Sequence, residues 1–322
     1  MPKYFIGPMS LNIVLAIIDF CEQRHESIGL IPSRRQVDFN GGYVNNWNTR
    51  RFSTFVKSRS QSVVLERDHG GPSQGQIQDD GTASFSVDSL CLDLIHIDPW
   101  KQYSDYEEGL SKTLEFMNHI YSINKNVKFE IGTEEAIRRF EVSEFHQLLK
   151  DLKEKTPKDI FNNIDYAVVQ SGVGLDLGSM NNTGDFNADR LLNMVSVCKE
   201  FGILSKEHNG DYLTNKEISK RFDLGLSAIN IAPEFGQIET LCYLDVIKND
   251  KTLSELFEIC LLSKKWQKWV PSTFNPNDNK DKLIKICCHY VFSNEKFLKI
   301  KPDIDHRIRK TITKKLEELY EI

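Results

Sequence analysis

Short apolar or β-branched runs alternate along the chain with longer stretches whose apolar positions recur at helical spacing, the pattern of parallel strands joined by crossover helices. Eight runs have strand character: Tyr4–Gly7, Ser27–Pro32, Ser62–Arg67, Leu94–Asp98, Val127–Gly132, Ile164–Gln170, Gly202–His208 and Leu226–Ile231. Helical periodicity follows in stretches such as Leu11–Glu22, Asp105–Ser122, Ser143–Glu154, Asp185–Phe201 and Asn215–Phe222, the last two with an Asp or Asn near the start that can cap free backbone N–H groups. Eight strand-plus-helix units in series predict an α/β chain folded as a (β/α)8 TIM barrel rather than an open doubly wound sheet. No GxGxxG follows the first run, so nothing favours a dinucleotide fold. Past residue 248 the strand pattern stops, which predicts a barrel over 1–248 and a helical extension packed on it over 249–322, with Ser272–Lys282 as an exposed loop.

Composition narrows the function classes. With 41 Lys plus Arg against 46 Asp plus Glu, the 322-residue chain carries a net charge of −5 and lacks the basic excess of a general nucleic-acid binder. The apolar stretch Ile13–Phe20 is too short to span a bilayer and is broken by Asp19, and no secretory signal pattern opens the chain. Seven cysteines with no CxxC spacing predict reduced, mostly buried thiols and a cytoplasmic location.

In a barrel of this type the C-terminal strand ends form the active face, and here they are unusually polar. The second run leads into Ser33-Arg34-Arg35, the third into Arg67-Asp68-His69-Gly70-Gly71-Pro72, and the fourth carries His96-Ile97-Asp98. The fifth reads Phe129-Glu130-Ile131-Gly132, the sixth ends at Gln170-Ser171-Gly172, the seventh gives Lys206-Glu207-His208-Asn209-Gly210-Asp211, and the eighth Asn230-Ile231-Ala232-Pro233. So many charged groups converging on one mouth need a metal or an anionic ligand to offset their desolvation. His69, Glu130 and His208 are the candidate metal ligands, a set that suits a divalent cation such as Zn²⁺ with positions left open; Co and Mn also fit a mixed His/Glu site.

Asp68, beside a ligand histidine, is the candidate general acid/base. Of Arg34, Arg35 and Arg67, at least one should face the mouth, where a planar guanidinium suits a phosphate or carboxylate; the others belong to the barrel wall or surface. Asp98 shares a strand face with His96 and should either orient a ligand or accept a substrate hydroxyl, and Gln170 and Asp211 complete the candidate substrate contacts. The loop Gly70–Gly81 is either a lid or a plain mobile connection, and His25, His119, His146, His289 and His306 are structural.

The segments Gly41-Gly42-Tyr43, Asp68-His69-Gly70-Gly71-Pro72, Glu130-Ile131-Gly132-Thr133-Glu134, Val168-Val169-Gln170-Ser171-Gly172 and Glu207-His208-Asn209-Gly210-Asp211-Tyr212 resemble, in that order, the non-catalytic-subunit family of class II D-tagatose-1,6-bisphosphate aldolase. That family is similar to the class II fructose- and tagatose-bisphosphate aldolases, zinc-dependent TIM barrels. The resemblance implies that Asp68 is the catalytic acid/base, that His69 and His208 bind zinc, and that Asn230-Ile231-Ala232 touches the enediolate and phosphate. Two departures stand out. Ser171-Gly172-Val173 occupies the place of a third zinc-ligating histidine, leaving Glu130 to complete the set, and Pro233 replaces a phosphate-binding Thr, so it can offer neither hydroxyl nor N–H. The implied function is a metal-dependent sugar aldolase acting on a ketose or sugar-acid derivative, free or phosphorylated. The alternatives are a sugar 4-epimerase using the same chemistry, or a stabilising subunit that assembles with a catalytic aldolase or with itself.

Overall fold

The computed structural model describes residues 1–321. Its strands are β1 (Tyr4–Ile6), β2 (Ile28–Leu30), β3 (Val63–Gly70), β4 (Leu94–Ile97), β5 (Lys128–Ile131), β6 (Ile164–Val169), the two short strands of a surface hairpin, β7 (Leu175–Asp176) and β8 (Asn181–Asn182), then β9 (Leu204–Glu207) and β10 (Ala228–Ile231). All but the hairpin pair in parallel, and they close in the order β1-β2-β3-β4-β5-β6-β9-β10 back to β1. This is the (β/α)8 barrel the periodicity predicts, with a strand in each of the eight runs.

Alternation along each strand sorts side chains between two environments. Tyr4, Ile6, Ile95, Ile97, Phe129, Ile131 and Ile229 join the continuous core between the strands and the outer helices. Phe5, Leu94, Tyr166 and Ala228 fill the barrel interior with Ile31. Helix ends follow the local chemistry: Asp105 caps Tyr106–Ile123, Asn187 caps Ala188–Phe201, and Thr214 with Glu217 forms a reciprocal capping box at Asn215–Asp223.

The C-terminal residues form the helices Asp250–Ser263, Lys280–Cys287, Glu295–Ile300 and Asp305–Tyr320, sharing one core with the barrel through Leu256, Phe257, Leu283, Ile308 and Ile312. The helix Lys280–Cys287 begins inside the stretch expected to be loop, which therefore ends at Asn279. Asp305–Tyr320 packs beside Leu11–Arg24 and Pro233–Val246. It is tied to the strand starts, where the Tyr4 hydroxyl donates to Leu319 O (2.7 Å) and the Tyr320 hydroxyl to Ser27 O (2.9 Å). The segment around Gln267–Trp269 reaches the opposite, C-terminal end of the barrel and lines its mouth together with Tyr290. Among the described residues no helix is long and apolar enough to cross a membrane, and all seven cysteines are free thiols, six of them buried.

Candidate metal centre and active site

Asp68 and His69 are consecutive on β3, so strict alternation would send one of them out of the barrel. The β3–β4 register shifts between Arg67 and Gly70, and His69 adopts a left-handed φ of 45°. This irregularity re-aims His69 so that both side chains face the mouth, a use of bulges that is common beside functional sites, where backbone strain also collects.

His96 on β4 and His208, just past β9, face the same point. One ligand atom from each of Asp68, His69, His96 and His208 lies within 4.8 Å of the other three. The ring centroids are 5.1 Å apart for His69–His96 and His69–His208, and 4.9 Å apart for His96–His208. Each imidazole is anchored through one nitrogen: His69 Nδ1 to Asp98 Oδ2 (2.6 Å), His208 Nε2 to Glu130 Oε1 (2.7 Å) and His96 Nε2 to Gly132 O (3.0 Å). Because the acceptors are oxygens, the anchored nitrogens carry protons, which leaves the opposite nitrogens as the ones that can offer a lone pair to a cation. For His69 and His208 those nitrogens, Nε2 and Nδ1, lie 3.7 and 3.8 Å from Asp68 Oδ1. The His96 Nδ1 takes only a long contact from the His69 amide, 3.3 Å. Three imidazoles oriented by carboxylate or carbonyl partners, with lone pairs gathered beside a carboxylate, are a donor set that suits a divalent cation.

The local field agrees. Burial disfavours a charged His69, yet Asp68, the Asp98 hydrogen bond and Glu134 outweigh it and hold the imidazole well above the usual histidine pKa, so this corner of the mouth attracts positive charge. Burial pushes His96 down to about 4, keeping it in the neutral form that can act as a ligand. Burial opposes ionisation of Asp98 as well, but the His69 hydrogen bond reverses that and lowers its pKa.

Several residues singled out in the sequence lie elsewhere. Glu130 falls outside the group of converging ligand atoms, because its carboxylate is engaged by His208 on one oxygen and by Lys206 Nζ (2.7 Å) on the other. Lys206 also pairs with Glu66, all three groups being buried inside the barrel. Burial raises both carboxyls, but the ammonium pulls Glu130 well below the ordinary range, while burial and the Glu130 charge keep Glu66 well above it. Arg67, alternating with the inward Glu66 and Asp68, points outward and forms a bidentate pair with Asp88 (2.7 and 2.8 Å) on the helix Thr82–Cys91. Arg34 is buried too, binding Asp38 (2.9 Å), Asp79 and Gly71 O (2.7 Å). Of the three arginines only Arg35 lines the mouth.

Gln170 braces backbone, donating to Thr133 O and Arg138 O and accepting from Phe140 N. Asp211 likewise accepts from Ala232 N (2.9 Å) and Glu234 N (2.8 Å), and burial with the Glu234 charge raises it to about 8. Neither lines the mouth, so both stand as structural groups rather than substrate contacts. Asn230 is 4 % exposed and its Oδ1 is buried without a partner. The loop after β3 is pinned by Arg34–Asp79 and by the Ser73 amide on Asp79 O (3.0 Å). His96 beside the other imidazoles and Lys206 on Glu130 are the placements the sequence analysis did not assign. Their signal was the period of two, since His96 precedes Asp98, and Lys206 precedes His208, by one strand repeat.

The chain matches no protein-family model and no curated protein. Among solved structures it is similar to a protein from Sinorhizobium meliloti 1021 described as a "probable tagatose 6 phosphate kinase", at 13% identity over 100% of both chains with a TM-score of 0.77. It is also similar to the fructose-bisphosphate aldolase of Campylobacter jejuni (13% identity, 99% of this chain and 89% of that one, TM-score 0.59) and to the YdjI aldolase of Escherichia coli K12 (11%, 99% and 91%, TM-score 0.54). At these identities the likeness is one of fold. The fold is thus shared with aldolases.

Proposed function

We propose that the chain is a metal-dependent sugar aldolase in which His69, His96 and His208 hold a divalent cation and Asp68 moves the substrate proton. The observation that carries this reading is the set of three imidazoles, each anchored on its far nitrogen and turned toward Asp68. His96 on β4 supplies the third imidazole that the sequence lacks at Ser171. A cation bound there supplies Lewis-acid stabilisation for the negative charge that develops when the carbon–carbon bond breaks.

The chain's own residues account for the remainder. Asp68, half-buried at the mouth, accepts the proton of the substrate hydroxyl and returns it to the departing fragment. Asn230, whose Oδ1 is buried without a protein partner, would offer its Nδ2–H to the forming oxyanion. Asp98 and Glu130 orient His69 and His208. The same parts serve cleavage followed by re-addition, the route of an epimerase. Pro233, which opens the helix Pro233–Val246 without an N–H to offer, favours instead a stabilising partner subunit.

Incubating the purified chain alone with ketoses, sugar acids and their phosphates, followed by NMR, tests the reading. Carbon–carbon cleavage that stops on removal of metal and in Asp68→Asn supports it. Inactivity of the metal-loaded chain alone, together with activation or stabilisation of a co-purified aldolase, supports the partner reading and overturns the enzyme.

A further inference from the structure

The mouth is a cavity of about 500 Å³ lined by groups of both charges. On the barrel side lie Asp68 and Glu134, next to the imidazole group. Five cations line it too: Arg35 and Lys101 from the loops after β2 and β4, and Lys264, Lys265 and Lys268 from the C-terminal extension. The protein carries a net charge of −5, and its other arginines near the barrel, Arg34, Arg67, Arg190 and Arg221, all have carboxylate partners. Among the described residues, none of the five mouth cations has a carboxylate oxygen within 4.0 Å. All five are exposed, and they gather on one concavity despite their mutual repulsion.

The position of Lys268 is built. Lys264 ends the helix Asp250–Ser263 in a left-handed conformation (φ 56°), turning the chain across the mouth into Gln267–Trp269. Trp269 Nε1 donates to the Tyr290 hydroxyl (3.0 Å), and Tyr290 packs edge-on against Tyr43 from the loop after β2, centroids 5.1 Å apart. The Lys268 ammonium rests 4.4 Å from the Trp269 ring centre and 5.6 Å from that of Tyr290. Lys268 is exposed to solvent at this rim, where the charges of Arg35 and Lys101 lie beside it and that of Glu134 opposes them.

We propose that the C-terminal extension completes the mouth as an anion-binding wall, in which Lys268, Arg35 and Lys101 hold a phosphate- or carboxylate-bearing end of the substrate. The proposal rests on the aldolase reading for the word substrate, but the wall is independent of the metal ligands. The same mouth is lined after β10 by Pro233, which has no N–H to give an anion.

Titrating the full chain with inorganic phosphate by calorimetry, with a chelator present so that no metal contributes, tests this directly. Saturable binding is expected, weakened about tenfold or more in Lys268→Met with Arg35→Met, since each removes a charge-assisted hydrogen bond. Lys268→Arg should keep most of the affinity, and Lys296→Met, on a distant face, should change nothing. Acetate as competitor separates the two sources, because a wall suited to a carboxylate releases phosphate at acetate concentrations no higher than the phosphate used. Phosphate binding that persists in His69→Ala while metal binding is lost separates the wall from the metal centre, so either reading can fail alone. No saturable phosphate binding by the wild type, or equal affinity in the Lys268→Met/Arg35→Met variant, overturns the proposal.

Discussion

Asp68 and His69 occupy adjacent positions yet share a destination, and only the register shift after Arg67 makes that possible. In the proposed aldolase their roles differ chemically, one a proton carrier and the other a lone-pair donor, and substitutions should separate them. Asp68→Asn keeps the shape and the imidazole cluster, so it should retain fold and metal while turnover falls by about 10² to 10⁴. Steady-state kinetics beside metal analysis checks this, and an unchanged turnover removes Asp68 from the chemistry. Glu130 and His96 are separable in the same way. His96→Ala deletes a ligand and should abolish stoichiometric binding, whereas Glu130→Gln only loosens the hold on His208 and should weaken metal affinity about 10- to 100-fold, as read by competition with a chromophoric chelator. Equal losses in the two variants would return Glu130 to the ligand set. The strand-end position of Asp68, His69 and His208 was legible from hydrophobic periodicity alone. That His96 rather than Glu130 converges with them was not, because a string of residues shows that Glu130 is near a strand end but not that Lys206, from a strand 76 residues away in sequence, already occupies its second oxygen.

At the level of strands and helices, alternation decides which polar residues serve the mouth and which serve the wall. Arg67 lies between Glu66 and Asp68, so it faces the helix Thr82–Cys91 and pairs with the fully buried Asp88. Arg67→Met leaves that carboxylate uncompensated and should destabilise the chain by about 3–5 kcal/mol in urea unfolding. A loss below about 1 kcal/mol would mean that Asp88 finds water or neutralises itself. The Arg34–Asp79 pair, which pins the loop after β3, should show a pH signature. The Arg34 hydrogen bond holds Asp79 below its ordinary pKa, so the stabilisation is complete above the unfolded carboxylate value of about 4 and fades as pH falls through the lower folded value. Proteolysis of the loop between Gly70 and Gly81 should accordingly speed up in acid, and Asp79→Asn should be fast already at neutral pH; a loop equally resistant in both would contradict the pinning. The two arginines were indistinguishable from Arg35 as members of a basic strand end, since neither Asp79 nor Asp88 has a sequence spacing that announces the contact.

Across the whole molecule, the barrel and its extension divide the work of building one cavity. The barrel gathers the imidazoles and carboxylates at its C-terminal end, while the extension packs from the strand starts, through Asp305–Tyr320, to the mouth, through Trp269 and Tyr290. The eight strands were legible because each carries its own apolar run between polar loops. The route of the extension was not, because amphipathic helices record that they pack but not on what. The central claim is that three imidazoles from β3, β4 and the end of β9 bind one divalent cation. Metal content of the chain, after dialysis against zinc and then metal-free buffer, measures it most directly, alongside His96→Ala. The account predicts about one zinc per wild-type chain, set by three histidine ligands, and its loss in a His96→Ala variant that remains folded by circular dichroism. A wild type that retains no metal, or a folded His96→Ala chain that retains the full complement, would contradict it.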